Sequence, residues 1–283
     1  MAAIDLTAPR RRVFAGPVAH ALLIGLAVTL SVLVIGLPVV AVFGMALSSG
    51  ASVYMAAILQ PATLYAIWLT VLTALIVVPI NIGFGIAAAW AITRFTFPGK
   101  KLMTTLIEIP FSISPIVAGT AYLFLYGAQG LFGPWLAASG IQIMFTVFAI
   151  FLVSLFVTSP FVARELITVM QSQGVEDEEA GVSLGASGYM LFWKVTLPNI
   201  KWALLYGAVL CNARVMGEFG AVSVVSGSIR GETNTLPLQI ELLFQDQNTA
   251  GAFAAASTLT VIALITLFIK LWAERRRDSH ERL

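Results

Sequence analysis

Two long stretches of this chain contain no charged side chain. No Asp, Glu, Lys or Arg occurs between Val13 and Thr93, nor between Ile109 and Ala163. A soluble domain carries about 25% charged residues, whereas this chain of 283 residues carries 11% and is 59% hydrophobic. Uncharged stretches of this length cannot all be buried around one soluble core, so they must contact lipid. The sequence therefore predicts an integral membrane protein.

Six apolar stretches are each long enough to cross a bilayer as a helix, which takes about 20 residues. Backbone groups in hydrocarbon must be hydrogen-bonded within a helix or a closed barrel, and these stretches lack the alternating pattern of barrel strands. The predicted fold class is therefore all-α and polytopic, with about six transmembrane helices. We expect a tilted or kinked second helix, because it is long and contains Pro79. The stretches cover about residues 18–46, 64–93, 102–127, 143–163, 202–226 and 250–272.

The basic residues are distributed unevenly between the loops on the two sides of the predicted membrane. If both ends lie on one side, that side holds 14 of the 16 basic residues, the other holds only Arg230, and Arg214 lies inside a helix. Basic loops remain on the cytoplasmic side, so both termini are predicted to be cytoplasmic. The third outer loop, at about 227–249, is expected to be a docking surface or a solvated connector. The 14 residues are Arg10, Arg11, Arg12, Arg94, Lys100, Lys101, Arg164, Lys194, Lys201, Lys270, Arg275, Arg276, Arg277 and Arg282.

This topology divides the chain into four parts. The arginines before the first helix resemble the start of a secretory signal, but the apolar region of a signal has only about 7–15 residues. The first apolar stretch is much longer, so we expect a retained transmembrane helix. The four parts are a cytoplasmic tail at 1–17, the first helix with its outer loop at 18–63, a core of five transmembrane helices at 64–272 with a cytoplasmic loop at 164–201, and a cytoplasmic tail at 273–283.

The longest cytoplasmic loop has a pattern typical of two short helices joined at an angle. The four acidic residues at 176–179 fall in the first turn of a helix predicted to begin near Val175, where the helix dipole favours negative charge. Gly185 is the predicted end of that helix. A second helix is expected to begin after Ser187 and to end before Pro198. Four small residues follow the acidic turn and would let another protein approach closely, so the two helices are predicted to project from the membrane as a knob that fits a groove. These small residues are Ala180, Gly181, Gly185 and Ala186.

This loop resembles the EAA loop of ABC importer permeases. The match consists of Glu179-Ala180-Gly181, three residues, Gly185, nine residues and Val195-Thr196-Leu197-Pro198, with Gly181 in place of the usual second alanine. In that family the loop forms the coupling helix, which seats in a separate ATP-hydrolysing subunit. The resemblance implies a type I ABC importer permease fold and assigns the coupling role to Glu178, Glu179, Ala180, Gly181, Gly185, Val195, Leu197 and Pro198.

Further segments are similar to sulfate and molybdate permeases, and specifically to the W-type permeases of sulfate/thiosulfate importers. The resemblance implies a multi-pass protein of the bacterial inner membrane that forms the translocation pathway for sulfate or a related oxyanion. It also implies a homologous second permease in a heterodimer, a dimer of ATP-binding subunits and an external substrate-binding protein. The chain itself would bind no cofactor, since the ATPase would use ATP and magnesium. The alternative within this class is a homodimeric molybdate or tungstate permease. The similar segments lie at 93–95, 97–99, 109–115, 212–227 and 233–241.

Arg214 and Glu218 are predicted to lie inside the membrane, four residues apart on one face of the fifth helix, where they can pair. Charged residues in a membrane usually face the bundle interior or a water-filled cavity. Two interpretations stay open: the pair fixes the helix against a neighbour, or Arg214 gives the pathway a cationic patch. Ser112 and Ser114 lie in a proline-broken segment at 110–115, which is tolerated only against protein or water. This segment is predicted to line a gate or cavity, with ordinary packing as the alternative.

The sequence also lacks the patterns of several other functions. No Gly-x-x-x-x-Gly-Lys-Ser/Thr phosphate loop occurs, and no Ser-His-Asp, Cys-His or paired-carboxylate group is evident, so the chain is predicted not to be an enzyme. No cluster has metal-ligand spacing, and Cys211 is expected to be a small buried residue. The net charge of +2 implies no affinity for nucleic acid. A secondary transporter, the rival from another class, would show inverted repeats, and none is apparent.

Overall fold

The computed structural model describes the backbone of residues 17–280 and, within that range, the side chains of residues 21–265 and 268. The predicted N-terminal tail up to Gly16, with Arg10, Arg11 and Arg12, lies outside the described residues, as does Arg282. Between residues 17 and 280 the secondary structure is helical and contains no strand. The predicted all-α class is confirmed.

The described residues form fourteen α-helices and two single π-helical turns. The π turns are Val32–Gly36, between α1 and α2, and Phe192–Thr196, between α10 and α11. The α-helices are α1 (Pro17–Ser31), α2 (Leu37–Leu47), α3 (Ala51–Ile58), α4 (Pro61–Arg94), α5 (Lys100–Ser112), α6 (Pro115–Tyr126), α7 (Gly133–Ala138), α8 (Val147–Gln173), α9 (Glu176–Ser183), α10 (Gly188–Leu191), α11 (Leu197–Met216), α12 (Gly220–Val225), α13 (Leu236–Gln245) and α14 (Thr249–His280).

Each π turn lies immediately before a Leu-Pro pair, at Pro38 and at Pro198. Proline lacks an N–H group, and its ring clashes with the carbonyl four residues earlier in an α-helix. In both places the N–H of the preceding leucine donates to the carbonyl five residues back, from Leu37 to Val32 and from Leu197 to Phe192. The wider turn accommodates the proline ring, so the helix continues through the proline.

Helices α4, α8 and α11 pack against one another at the centre of the bundle. A buried polar cluster joins them, in which the Asn81 side chain donates to the Thr158 hydroxyl at 2.7 Å and lies 3.6 Å from the sulfur of Cys211. Cys211 is buried, as the sequence predicts. The helix α4 continues through Pro79 without interruption.

The predicted third span is not one straight helix. It is divided into α5 and α6, whose axes meet at 109°. The two residues between them, Ile113 and Ser114, have extended backbone torsions with ψ of 135°. The cause is Pro115, because a proline disfavours the helical conformation of the residue before it. The backbone therefore turns sharply where the sequence predicts a broken segment.

Two other predicted boundaries were wrong. The fourth helix, α8, continues ten residues past Ala163 to Gln173, so Arg164 lies in the helix and not in a loop. The predicted fifth helix at 202–226 is divided, because α11 ends at Met216 and a separate short helix, α12, begins at Gly220.

Three described helical segments are long and apolar enough to cross a membrane, at Ala21–Leu47, Pro61–Arg94 and Val147–Gln173. The bent pair α5–α6 passes the same test only when its two helices are counted together, either as a broken span or as a re-entrant loop. The described apolar part of α14 is shorter, at Thr249–Ile265. The segment Ala21–Leu47 packs on α14 and α3 and leaves almost all of its apolar side chains exposed. Such a surface is stable in lipid. The predicted total of six spans and the predicted side of each end stay predictions.

Candidate functional site

The predicted acidic helix is present as α9, which begins at Glu176 after Val175. All four acidic residues at 176–179 lie in its first turn, where the unpaired N–H groups and the helix dipole favour negative charge. The helix ends at Ser183, and Gly185 follows with a φ of +83°. This left-handed conformation suits glycine. The chain then reverses towards α10, where the Ser187 hydroxyl accepts a hydrogen bond from the Met190 N–H.

The second predicted helix does not end before Pro198. It begins with α10 and passes through the π turn Phe192–Thr196 directly into α11, so Val195, Leu197 and Pro198 belong to one continuous helical rod. The rule that helices end before proline fails here because the π turn removes the clash with the preceding carbonyl. As a result, α10 and α11 form one continuous rod.

Gly181 lies where α9 crosses the rod. A Cβ atom added there would lie 2.7 Å from the end of the Leu191 side chain and 3.8 Å from Val195. The smallness of residue 181 therefore allows α9 to approach the rod closely. Ala180 and Glu179, by contrast, lie on the exposed side of α9.

An apolar surface is exposed at the tip of the knob. Leu184 is 88% exposed, and it is the most exposed large apolar side chain among the described residues. Exposed apolar patches of this kind usually mark sites of interaction with another protein. We call this patch the knob surface; it comprises Val182, Leu184, Tyr189, Met190 and Trp193.

Glu178 differs from the other acidic residues of α9 because it is partly buried, and it points back towards the bundle. One of its oxygens, Oε2, lies 2.6 Å from Nε of Arg94, at the end of α4. The other, Oε1, accepts a hydrogen bond from the Thr196 hydroxyl at 2.8 Å. Nη1 of Arg94 also donates to the carbonyl of Met170 in α8, at 3.2 Å. The sequence did not predict this role of Arg94, because its positive charge was informative only about which side of the membrane it lies on.

A second set of contacts ties α9 to the beginning of α11. The Asn199 side chain donates to Oδ2 of Asp177 at 3.0 Å, and the Gln173 side chain donates to the Asn199 carbonyl at 3.1 Å. These contacts, together with those of Glu178, hold the inner side of α9 against α4 and α11, and Gln173 joins α8 to the same asparagine. No sequence motif reports them, since the partners are 22 and 26 residues apart.

Arg214 and Glu218 form the predicted ion pair, with Nη1 and Oε2 2.6 Å apart. The two residues do not share a helix, because α11 ends at Met216. Oε1 of Glu218 accepts a hydrogen bond from the Ala221 N–H at 3.0 Å, in the first turn of α12. The Glu218 side chain is 1% exposed, whereas that of Arg214 is 31% exposed. The pair therefore joins α11 to α12 and leaves part of the guanidinium accessible.

Ser112 and Ser114 are exposed in the single chain at the bend between α5 and α6. Arg164 of α8 approaches the same bend, with its guanidinium carbon 5.4 Å from the centre of the Phe111 ring. A bend with free backbone groups is tolerated at membrane depth only where it faces protein or water. Glu108, one turn earlier, is also exposed.

The loop predicted to be the third outer one is not a simple solvated connector. Its segment 233–239 enters the bundle and contains buried Asn234 and Gln239, which are hydrogen-bonded to each other. The Thr70 hydroxyl of α4 accepts a hydrogen bond from the Leu236 N–H at 2.8 Å. Only the outer part of the loop remains exposed, where Arg230 pairs with Asp246.

Among the residues whose side chains are described, no group of three or more His, Cys, Asp or Glu side chains could hold a metal ion. The acidic first turn of α9 is also unsuited to a cation, because two of its four carboxylates bind Arg94 and Asn199.

The fold matches that of an ABC transporter. A chain in the crystal structure of a bacterial alginate ABC transporter, in complex with an alginate pentasaccharide-bound periplasmic protein, superposes with a TM-score of 0.74. The match has 16% sequence identity and covers 92% of this chain and 94% of that chain. The fold is the type I permease fold of ABC importers, with several membrane-spanning helices.

Residues 81–279 match the family model described as the inner membrane component of binding-protein-dependent transport systems, and the chain belongs to this family. It is 54% identical over 260 residues to the sulfate transport system permease protein CysW of Escherichia coli K12, covering 92% of this chain and 89% of that protein. It is 35% identical over 215 residues to CysT of the same organism, covering 76% and 78% of the two chains. Members of the family are permease subunits and not enzymes.

Proposed function

We propose that this chain is one of two different permease subunits in an ATP-driven importer of sulfate and thiosulfate, located in the bacterial inner membrane. The 54% identity with the sulfate transport permease CysW, over 92% of the chain, supports sulfate as a substrate and carries the proposal. The similarity to CysT is weaker, and it is consistent with a related second permease as the partner in a heterodimer.

The coupling role is proposed for the α9–α10 knob. Its surface combines an acidic first turn with exposed Leu184 and Trp193, and a soluble ATPase subunit in the cytoplasm would cover these apolar side chains on docking. The chain contributes no nucleotide site of its own, so ATP and magnesium are bound by a dimer of ATPase subunits. Nucleotide-driven closure of that dimer moves the knob, and the continuous rod of α10 and α11 carries this movement into the membrane.

The translocation pathway is proposed to run past the bend between α5 and α6 and past Arg214. Ser112 and Ser114 offer hydroxyl groups at the bend, and Arg214 offers a partly exposed cation. A sulfate dianion must shed much of its hydration to cross, so several weak polar contacts suit rapid passage better than one tight site. An external binding protein then supplies the affinity, and it docks on the exposed part of the loop around Arg230.

The proposal is tested by measuring uptake in a strain that lacks only this subunit. The strain is complemented with the unaltered chain or with Glu179→Lys, which reverses one charge on the exposed side of α9. We expect the unaltered chain to restore uptake of labelled sulfate and thiosulfate but not of molybdate. The Glu179→Lys variant should insert normally into the membrane but restore uptake of neither sulfate nor thiosulfate. Restored molybdate uptake without sulfate uptake would overturn the substrate assignment.

A further inference from the structure

The contacts of Glu178 connect the knob to the helix bundle and not to the surface. Both of its carboxylate oxygens are used inside the chain, by Arg94 at 2.6 Å and by Thr196 at 2.8 Å. Its side chain is only 13% exposed, and that of Arg94 only 11%. Glu178 is therefore not on the surface that an ATPase subunit would touch, although it is adjacent to Glu179, which is.

Arg94 connects three helices through one guanidinium group. It belongs to the last turn of α4, it binds Glu178 of α9, and it donates to the Met170 carbonyl near the end of α8. Because the guanidinium group is planar, always charged and carries several N–H groups, it can contact both partners at once. The small pocket beside Arg94 and Glu178 has room for about one water molecule.

The covalent links of α9 are, by comparison, poorly suited to transmitting force. At its beginning the chain passes through Gly174, which has a φ of +76°, and at its end through Gly185, with a φ of +83°. Glycine has wide conformational freedom, so these links allow α9 to tilt. The movement of α9 reaches α4 and α8 only if side chains connect the three helices.

We propose that Arg94 is a positioning residue for coupling: its ion pair with Glu178 transmits movement of α9 to α4 and α8, while Thr196 and Asn199 transmit it to α11. This inference rests on the proposed function. Without the pair, the ATPase subunits would still dock on the knob surface and hydrolyse ATP, but α4 and α8 would not follow the knob. The expected defect is thus uncoupling, not loss of assembly.

The test uses the complete complex, with the second permease and the ATPase subunits, reconstituted in vesicles. The variants are Arg94→Gln, Glu178→Gln and the exchange Arg94→Glu with Glu178→Arg. The measurement is the amount of labelled sulfate transported per ATP hydrolysed in the presence of the binding protein. We expect each single variant to lower this ratio by about tenfold. Copurification of the ATPase subunits should be unchanged. The double variant with the exchanged charges should recover part of the lost transport per ATP.

The matched control is Lys101→Gln, which removes an exposed cation from the first turn of α5, outside the knob and its contacts, and should leave the ratio unchanged. If Arg94→Gln does not assemble, Arg94→Lys keeps the charge without the guanidinium geometry and is expected to give an intermediate ratio. A normal ratio in an assembled Arg94 or Glu178 variant overturns the inference, even if thermal stability falls. If the unaltered complex transports no sulfate, it is instead the proposed function that fails.

Discussion

At the scale of single residues, two glycines of the knob have different physical roles. Gly181 is needed for space, because its missing Cβ leaves room for Leu191. Gly185 is needed for its conformation, because its φ is +83° while no atom lies within 4 Å of an added Cβ. A side chain at Gly185 therefore costs about 1–2 kcal/mol of backbone strain and projects beside the exposed Leu184.

Replacing Gly185 by arginine should abolish transport without preventing membrane insertion. The new side chain strains the turn and adds bulk and charge to the knob surface, so copurification of the ATPase subunit should be lost. Gly140→Arg is the matched control, since Gly140 also has a positive φ, +68°, with nothing within 4 Å of an added Cβ, but follows α7 and is not part of the knob. If both variants lost transport and ATPase copurification equally, backbone strain alone would explain the effect.

Arg214 offers a second test at the residue scale. Arg214→Ala leaves the buried Glu218 carboxylate without its cation, and breaking a buried pair in this way costs about 3–5 kcal/mol. We expect a lower thermal stability of the purified complex and no transport. Adding Glu218→Gln removes the uncompensated charge and should restore stability, but not transport, if Arg214 lines the pathway. Full transport by the double variant would leave Arg214 with a structural role only.

At the scale of helices, close approach depends on small residues at particular positions. A Cβ added at Gly85 of α4 would lie 2.6 Å from Cγ1 of Val162 and 3.0 Å from the Ala163 backbone nitrogen in α8. In a membrane, helices associate largely by such close packing, without a hydrophobic driving force between them. Gly83, two residues earlier on the same helix, meets nothing within 4 Å.

The alanine variants of these two glycines should therefore differ. Gly85→Ala forces α4 and α8 apart and should destabilise the purified complex by about 1–3 kcal/mol, which thermal unfolding in detergent would detect. Gly83→Ala should be neutral or slightly stabilising, because alanine has the higher helix propensity. Similar effects of both variants would contradict the packing at the α4–α8 contact.

At the scale of the whole molecule, everything proposed for the knob requires it to lie in the cytoplasm. The native Cys211 is buried, so it is replaced by alanine and a single cysteine is placed at the exposed Ser183. A membrane-impermeant thiol reagent should label it only in inside-out vesicles. Ser139→Cys, in the loop after α7, is the control and should react only from the opposite side. Labelling of position 183 from the outside would exclude the coupling role.

Much of this architecture could be predicted from local signals. Long uncharged stretches require lipid contact, and the helical class follows from the need to satisfy backbone hydrogen bonds in hydrocarbon. The acidic first turn, Gly185 and Ser187 act within a few residues of chain, so the existence of α9 and the turn after it could be predicted. The prediction that a helix ends before Pro198 was wrong, because a π turn is an adjustment that no local rule signals.

The sequence by itself determined that this chain spans a membrane with helices and carries a small two-helix knob, because hydropathy and turn chemistry act between neighbouring residues. Only the tertiary structure decided that Glu178 faces Arg94, that Glu218 joins α11 to α12 and that the segment 233–239 returns into the bundle. The physical reason is that these contacts join residues far apart in the chain or across a helix end. Their formation depends on which helices pack together.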